Sequence, residues 1–287
     1  MTKAAAKTKA HTLIEALPYI RSYRNQVVVV KVGGAALDDE RLAKLVAEDL
    51  ALMALVGIRL VVVHGGGPQV SEAMTAAGIE PEFVGGLRVT NDDAMELVRR
   101  VLVGSINSAL VARLASAGLN PVGLSGSDGS ILSAERVAGP QGEDLGRVGR
   151  VREVAPELIE SLLDDLYTPV IASVAPDSDD VALNVNADAV AGSVASSLQA
   201  TKLVFLTNVE GLYRDLGDAG SLLSEVKLDE LSAMVGRLSE GMRPKVQAAI
   251  DALQNGVVKA HILDGRVEHA LLLEIFTEEG IGTQVLP

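Results

Sequence analysis

Four basic residues and one acidic one have the type and setting for anion chemistry. Lys31 ends an apolar run two residues ahead of Gly33 and Gly34 (VVVVKVGGAAL, 27–37), and His64 stands just ahead of Gly65, Gly66 and Gly67 (LVVVHGGGPQV, 60–70). Each glycine turn falls where a buried strand should hand over to a helix. There the backbone can approach an anion closely, and the unpaired N–H groups of a helix N-terminus point at it. Three consecutive glycine amides are a cradle for a carboxylate or phosphate oxygen. Two such turns in one chain, one with a lysine beside it, suggest a site for more than one negatively charged ligand, which is the problem a kinase solves.

Each of these residues also has an ordinary structural reading. Lys31 in an apolar strand is costly to desolvate without a partner; it either snorkels from the strand end or binds an anion, and the neighbouring glycines favour the anion. His64 is better read as a hydrogen-bonded strand-end side chain than as a catalytic base. Arg88, in FVGGLRVT, suits bidentate recognition of a carboxylate but equally a surface ion pair. Asp188 closes LNVNAD, which spaces Asn184, Asn186 and Asp188 two apart; it is either a helix N-cap or a carboxylate hub for two lysines. Lys245 follows Pro244 where a helix should open, and a cation there opposes the helix dipole unless an anion shares the site.

The elements that must position these residues follow from hydrophobic patterning. Apolar runs at 27–32, 60–63, 121–124, 170–173, 202–206 and 258–263 read as strands buried on both faces, as in parallel sheets. Helices are expected over about 38–56 (stopped by Gly57), to about 77, over 92–117, 155–163, 187–198, 228–238 and 245–255. The stretch 139–150, rich in glycine and charge, reads as an exposed hairpin or loop. Residues 1–9 read as a frayed tail. Thr12 and Glu15 have capping-box spacing for a helix that Pro18 leaves either short or kinked. Strands alternating with helices predict an α/β fold, with ligands beyond the carboxyl ends of the strands. No GxxxxGK[ST] occurs and no GxGxxG follows a strand, which excludes both common nucleotide fingerprints.

Composition narrows the class. The chain has 287 residues, 48% of them hydrophobic but only 2% aromatic, so the core is aliphatic. Cysteine is absent, which removes disulfides and thiolate chemistry. A net charge of −13 argues against a nucleic-acid surface. The N-terminus lacks a secretory apolar core and no run is long enough to span a bilayer, so a cytoplasmic protein without membrane contact is expected.

Taken in order, KVGG, HGGGPQ, GLRVT, LNVNAD, LTNVEGLY and GMRPK resemble the amino-acid kinase family, and within it the branch acting on N-acetylglutamate in arginine biosynthesis. The resemblance implies a three-layer αβα sandwich around a mainly parallel sheet of about eight strands. It implies an N-terminal helix for oligomerisation in 1–25, a lobe over 26–196 for the amino-acid substrate and dimer contact, and a lobe over 197–287 for ATP. Lys31 and Lys245 would then contact the transferring phosphoryl group with Asp188 orienting them. Gly65, Gly66, Arg88 and Asn184 would bind the acyl amino acid. Gly33, Gly34, Thr207, Asn208, Gly211 and Tyr213 would serve the nucleotide, with Mg²⁺ arriving on ATP and no protein metal site. The N-terminal helix and the stretch HILDGRVEHALLLEIFTEEGIGT imply an arginine-inhibited hexamer, a trimer of dimers, with Tyr19, His261, Glu274 and Gly280 lining the effector site. A PII-type signal protein is compatible as a partner. Ser127, Glu240 and Arg243 stand where the family pattern has Lys, Gly and Ile. A kinase for carrier-bound α-aminoadipate and a catalytically silent sensor are the competing readings.

Overall fold

In a computed structural model that describes residues 3–215, 217–239, 241–277 and 280–287, eight strands form one sheet. Their order across it is Glu225–Lys227, Thr283–Leu286, Lys259–Asp264, Lys202–Thr207, Val27–Val32, Arg59–His64, Thr168–Ala172 and Pro121–Leu124. Every neighbouring pair is parallel except Lys259–Asp264 with Thr283–Leu286. The expected mainly parallel sheet of about eight strands is therefore present. The central strands are almost wholly buried, which is why they read as unbroken valine and leucine runs.

Side chains alternate between two apolar layers. Val29, Val61, Val63, Leu203 and Phe205 pack under helices Ala187–Ser197 and Arg243–Gln254. Val28, Val30, Val62, Val204 and Leu206 pack on the other face against helices Glu40–Leu55, Ser108–Ser116 and Ala270–Phe276. This period of two fixes where the charged strand residues go. Lys31 shares its face with Val29, so it points to the helices that carry Asp188 and Lys245. Lys202 and His261 share theirs with Val204 and Leu263, so they point to the helix that carries Glu274.

Three departures from the sequence reading have physical causes. Residues 3–9, expected as a tail, belong to one 21-residue helix, Lys3–Tyr23, because an alanine- and lysine-rich stretch is a strong helix former. Thr12 is consequently interior and not a cap, and Pro18 lies inside a helix that is not short. The 92–117 helix is interrupted by a π-helical segment, Arg100–Asn107, between Asp92–Arg99 and Ser108–Ser116. The stretch 139–150 takes the hairpin form of the two expected: Asp144–Val154 pairs antiparallel with Leu132–Ala138, and also with Ala182–Val185, in a second, four-stranded sheet completed by Val174–Pro176.

Candidate active site

Lys31, Asp188 and Lys245 meet at the carboxyl end of the central strands. The Lys31 ammonium lies 3.0 Å from one Asp188 carboxylate oxygen, and the Lys245 ammonium donates to the other at 2.9 Å. All three side chains are nearly buried. The local sequence explains the arrangement. Asn186, not Asp188, caps helix Ala187–Ser197, accepting from the backbone N–H groups of Asp188 and Ala189. Asp188 thus falls in the first turn, where the helix dipole favours a carboxylate. Gly192, one turn on, faces Ala248 so closely that a Cβ there would lie 2.9 Å from the Ala248 carbonyl oxygen. That close approach brings the start of helix Arg243–Gln254, and Lys245, onto Asp188.

The electrostatics are those of a cation pair held by one anion. Burial pushes the Asp188 carboxyl up, but the two ammonium groups outweigh it and hold it below the usual carboxylate range. Burial lowers the Lys245 ammonium below the ordinary lysine value, against the pull of Asp188. Lys245 also stands 5.8 Å over the Phe205 ring. One carboxylate between two ammonium groups leaves the cluster with a net positive charge.

That cavity, 280 Å³, brings together Lys31, Gly33, Gly34, Gly65, Gly66, Arg88, Asn184 and Asp188, which lie far apart in sequence. Lys245 stands behind Asp188 and is not on its wall. The Arg88 guanidinium donates to the Gly67 carbonyl and the Ser71 hydroxyl, both at 2.8 Å, and stacks 4.6 Å over the Phe83 ring. The Arg88 guanidinium is therefore held in place and is not a surface ion-pair partner. Asn184 donates to the Thr90 hydroxyl at 3.2 Å. Gly34 needs its freedom: its φ is +58°, and a Cβ there would lie 2.2 Å from Asn208 Oδ1. Asn208 is thereby brought beside the first glycine turn. Gly211 and Tyr213 line a separate 400 Å³ cavity with Leu212, Leu238 and Met242, and Thr207 ends the strand leading to it. Ser127 and Arg243 are exposed, and Glu240 lies outside the described residues.

Comparison with known proteins bears on what such a site belongs to. Residues 26–264 match the model of the amino acid kinase family. The chain belongs to that family. An acetylglutamate kinase of Caldanaerobacter subterraneus subsp. tengcongensis is 48% identical over 279 residues, covering 96% of this chain and 93% of its own. Two structures of N-acetylglutamate synthase from Neisseria gonorrhoeae superpose well. The one with coenzyme A and N-acetyl-glutamate has a TM-score of 0.87 at 29% identity over 97% of this chain, and the one with coenzyme A and L-arginine has 0.83 at 28% over 96%. This chain spans 63% and 65% of the length of those synthase chains.

At the opposite end of the strands, this amino acid kinase has a third cavity of 360 Å³, lined by Tyr19, Tyr23, Lys202, Glu274 and Gly280 among others. Of the residues expected at an effector site, Tyr19, Glu274 and Gly280 reach its wall. His261 does not: it is wholly buried behind Glu274, with Nδ1 2.7 Å from the carboxylate. Lys202, only 2% exposed, donates to the same Glu274 oxygen at 3.1 Å and lies 5.1 Å over the Tyr23 ring. Burial raises the Glu274 carboxyl, but His261 and Lys202 more than offset it. Lys202 was not singled out in the sequence, although a lysine opening the apolar strand KLVFLT carries the same signal as Lys31.

Proposed function

We propose that this protein transfers the γ-phosphoryl group of ATP to the γ-carboxylate of N-acetyl-L-glutamate, the acyl-phosphate-forming step of arginine biosynthesis. The observation that carries this reading is the Asp188 carboxylate with an ammonium group on each oxygen, at the wall of a cavity of glycine amides, Arg88 and Asn184. The acceptor carboxylate is ionised at neutral pH and needs no general base. The obstacle is repulsion between two anions, so cations and N–H donors supply most of the catalysis.

Lys31 and Lys245 neutralise the transferring phosphoryl group, with Asp188 orienting them and the Gly33 and Gly34 amides donating. An acceptor oxygen bonds to the γ-phosphorus as the bond from that phosphorus to the β–γ bridging oxygen breaks, and ADP leaves. Arg88, Asn184, Gly65 and Gly66 hold the acyl amino acid, and the fixed positive charge of Arg88 suits its α-carboxylate. Thr207, Asn208, Gly211 and Tyr213 serve the nucleotide. Asp188 is the one carboxylate on the described cavity wall, and both its oxygens face ammonium groups, so it does not fit a metal ligand. Mg²⁺ accordingly enters as the counter-ion that ATP carries, and no step is assigned to it.

Arginine is the feedback inhibitor in this reading, its guanidinium on Glu274 and its carboxylate near Lys202 and the Gly280 turn. Support comes from the charge pattern of the third cavity and from the arginine bound by the related synthase. The N-terminal helix leaves Leu13 and Ile14 exposed at 70% and 66%, which supports its use in joining dimers into a hexamer in the cytoplasm. A coupled phosphotransfer assay offering N-acetylglutamate, glutamate and aspartate separately, with and without arginine, tests the reading. Turnover with N-acetylglutamate that arginine suppresses is expected. Equal turnover of the free amino acids, or none with the acylated one, contradicts it.

A further inference from the structure

His64 is wholly buried, yet the mechanism above does not use it. Its Nδ1 lies 3.0 Å from the Gly65 carbonyl oxygen and its Nε2 lies 3.0 Å from Asn107 Nδ2. The same Asn107 nitrogen lies 2.9 Å from the Val170 carbonyl oxygen. A carbonyl only accepts, so the amide nitrogen of Asn107 must face it, and its second hydrogen is directed at His64 Nε2. Nε2 is then the acceptor and Nδ1 carries the proton, which it donates to Gly65. Burial first, and then the Lys31 charge, lower the ring's basicity and keep it neutral.

The consequence reaches the substrate cavity through one peptide plane. In a trans peptide the C=O and the following N–H point in opposite directions. With the Gly65 carbonyl turned back onto His64, the Gly66 N–H is turned the other way, to the side of the cavity that Gly66 lines. The platform beneath this turn is the π-helical segment Arg100–Asn107. It supplies Asn107, and it also supplies Leu102 and Ile106: a Cβ on Gly66 would lie 2.8 Å and 2.1 Å from their methyl groups. Gly123 completes the seat, since a Cβ there would lie 2.2 Å from Asn107 Oδ1. Single π-helical turns inside α-helices are often found at functional sites.

We propose that Asn107 and His64 are positioning residues: Asn107 fixes the Nδ1–H tautomer of His64, which locks the Gly65–Gly66 peptide with its N–H toward the acyl amino acid. The kinetic part rests on the substrate reading above; the tautomer part does not.

Nitrogen-15 NMR on protein labelled at histidine reads the tautomer directly, with His64→Asn assigning the signal. The wild type shows Nδ1–H at neutral pH; an Nε2–H ring or an imidazolium overturns the proposal. Asn107→Asp replaces the donor with an acceptor, so it should invert the tautomer and raise KM for N-acetylglutamate about 10-fold, the scale of one hydrogen bond, with KM for ATP little changed. His64→Asn keeps a donor at the Nδ1 position and should hold that KM near wild type, whereas His64→Leu should raise it about 10-fold. An inverted tautomer with unchanged KM, or equal effects of His64→Asn and His64→Leu, also overturns it. A wild type with the expected tautomer that does not turn over N-acetylglutamate would instead sink the substrate reading.

Discussion

Two buried titratable groups make pH predictions of opposite character. Lys245 must be charged to act, and burial lowers its ammonium below the ordinary lysine value. Turnover should therefore fall on the alkaline side earlier than an unperturbed lysine would allow. In Lys245→Arg that alkaline limb should disappear, at reduced kcat, because a guanidinium does not titrate there. A limb that persists unchanged assigns it to another group. Asp49 lies outside the active site, 1% exposed, with its carboxylate 2.6 Å from His269 Nδ1. Burial raises its carboxyl to about 6, and the hydrogen bond to Asp49 raises His269. A raised folded pKa means the native state holds the proton more tightly. The stabilisation is then complete below the unfolded value of 3.8 and is lost as pH rises through about 6. Thermal melts should show the wild type losing, relative to Asp49→Asn, on the order of 2–3 kcal/mol between about pH 4 and 7. A flat difference between the two proteins across that range would disprove the assignment.

Among the elements, helices Ala187–Ser197 and Arg243–Gln254 matter most, because their approach at Gly192 and Ala248 sets the Lys245–Asp188 contact. Gly192→Val should push them apart, costing about 1–3 kcal/mol in a denaturant melt and lowering kcat about 10-fold or more by loosening one electrostatic contact. A folded variant with unchanged kcat would separate helix spacing from catalysis. The same elements show what the sequence makes legible. The interior strands are readable because burial on both faces leaves continuous valine and leucine, and Lys31, the glycine turns, Arg88, Asn184 and Asp188 stand out at or near strand ends. In the second sheet, the hairpin leading into Asp144–Val154 is legible in its glycine- and charge-rich turn, but the parallel pairing of that strand with Ala182–Val185 is not, because burial there is mixed and these two strands lie far apart in sequence. The π-helical segment is hidden because Arg100–Asn107 keeps an apolar pattern compatible with an ordinary helix, and the altered winding shows only in the backbone. His261 faces the same helix as Lys202 but stands in register with Val204, two residues deeper along the strands, so it packs behind Glu274 and not on the cavity wall.

For the whole molecule, the two ends of one sheet carry two charge clusters, a lysine pair on Asp188 and a Lys202–His261 pair on Glu274. The N-terminal helix contributes Tyr19 and Tyr23 to the third cavity and exposes Leu13 and Ile14. Removal of residues 1–25 should therefore reduce the mass seen by sedimentation and abolish the arginine response while basal turnover persists; an unchanged mass and response would remove the helix from both roles. In the proposed transfer, cations overcome the repulsion between two anions. Single-turnover phosphotransfer by Lys31→Ala, Lys245→Ala and the wild type at saturating ATP and N-acetylglutamate tests that role of the cations most directly. Each variant should transfer at least about 100-fold more slowly, the scale of losing one electrostatic stabiliser, and near-normal transfer by both would contradict it.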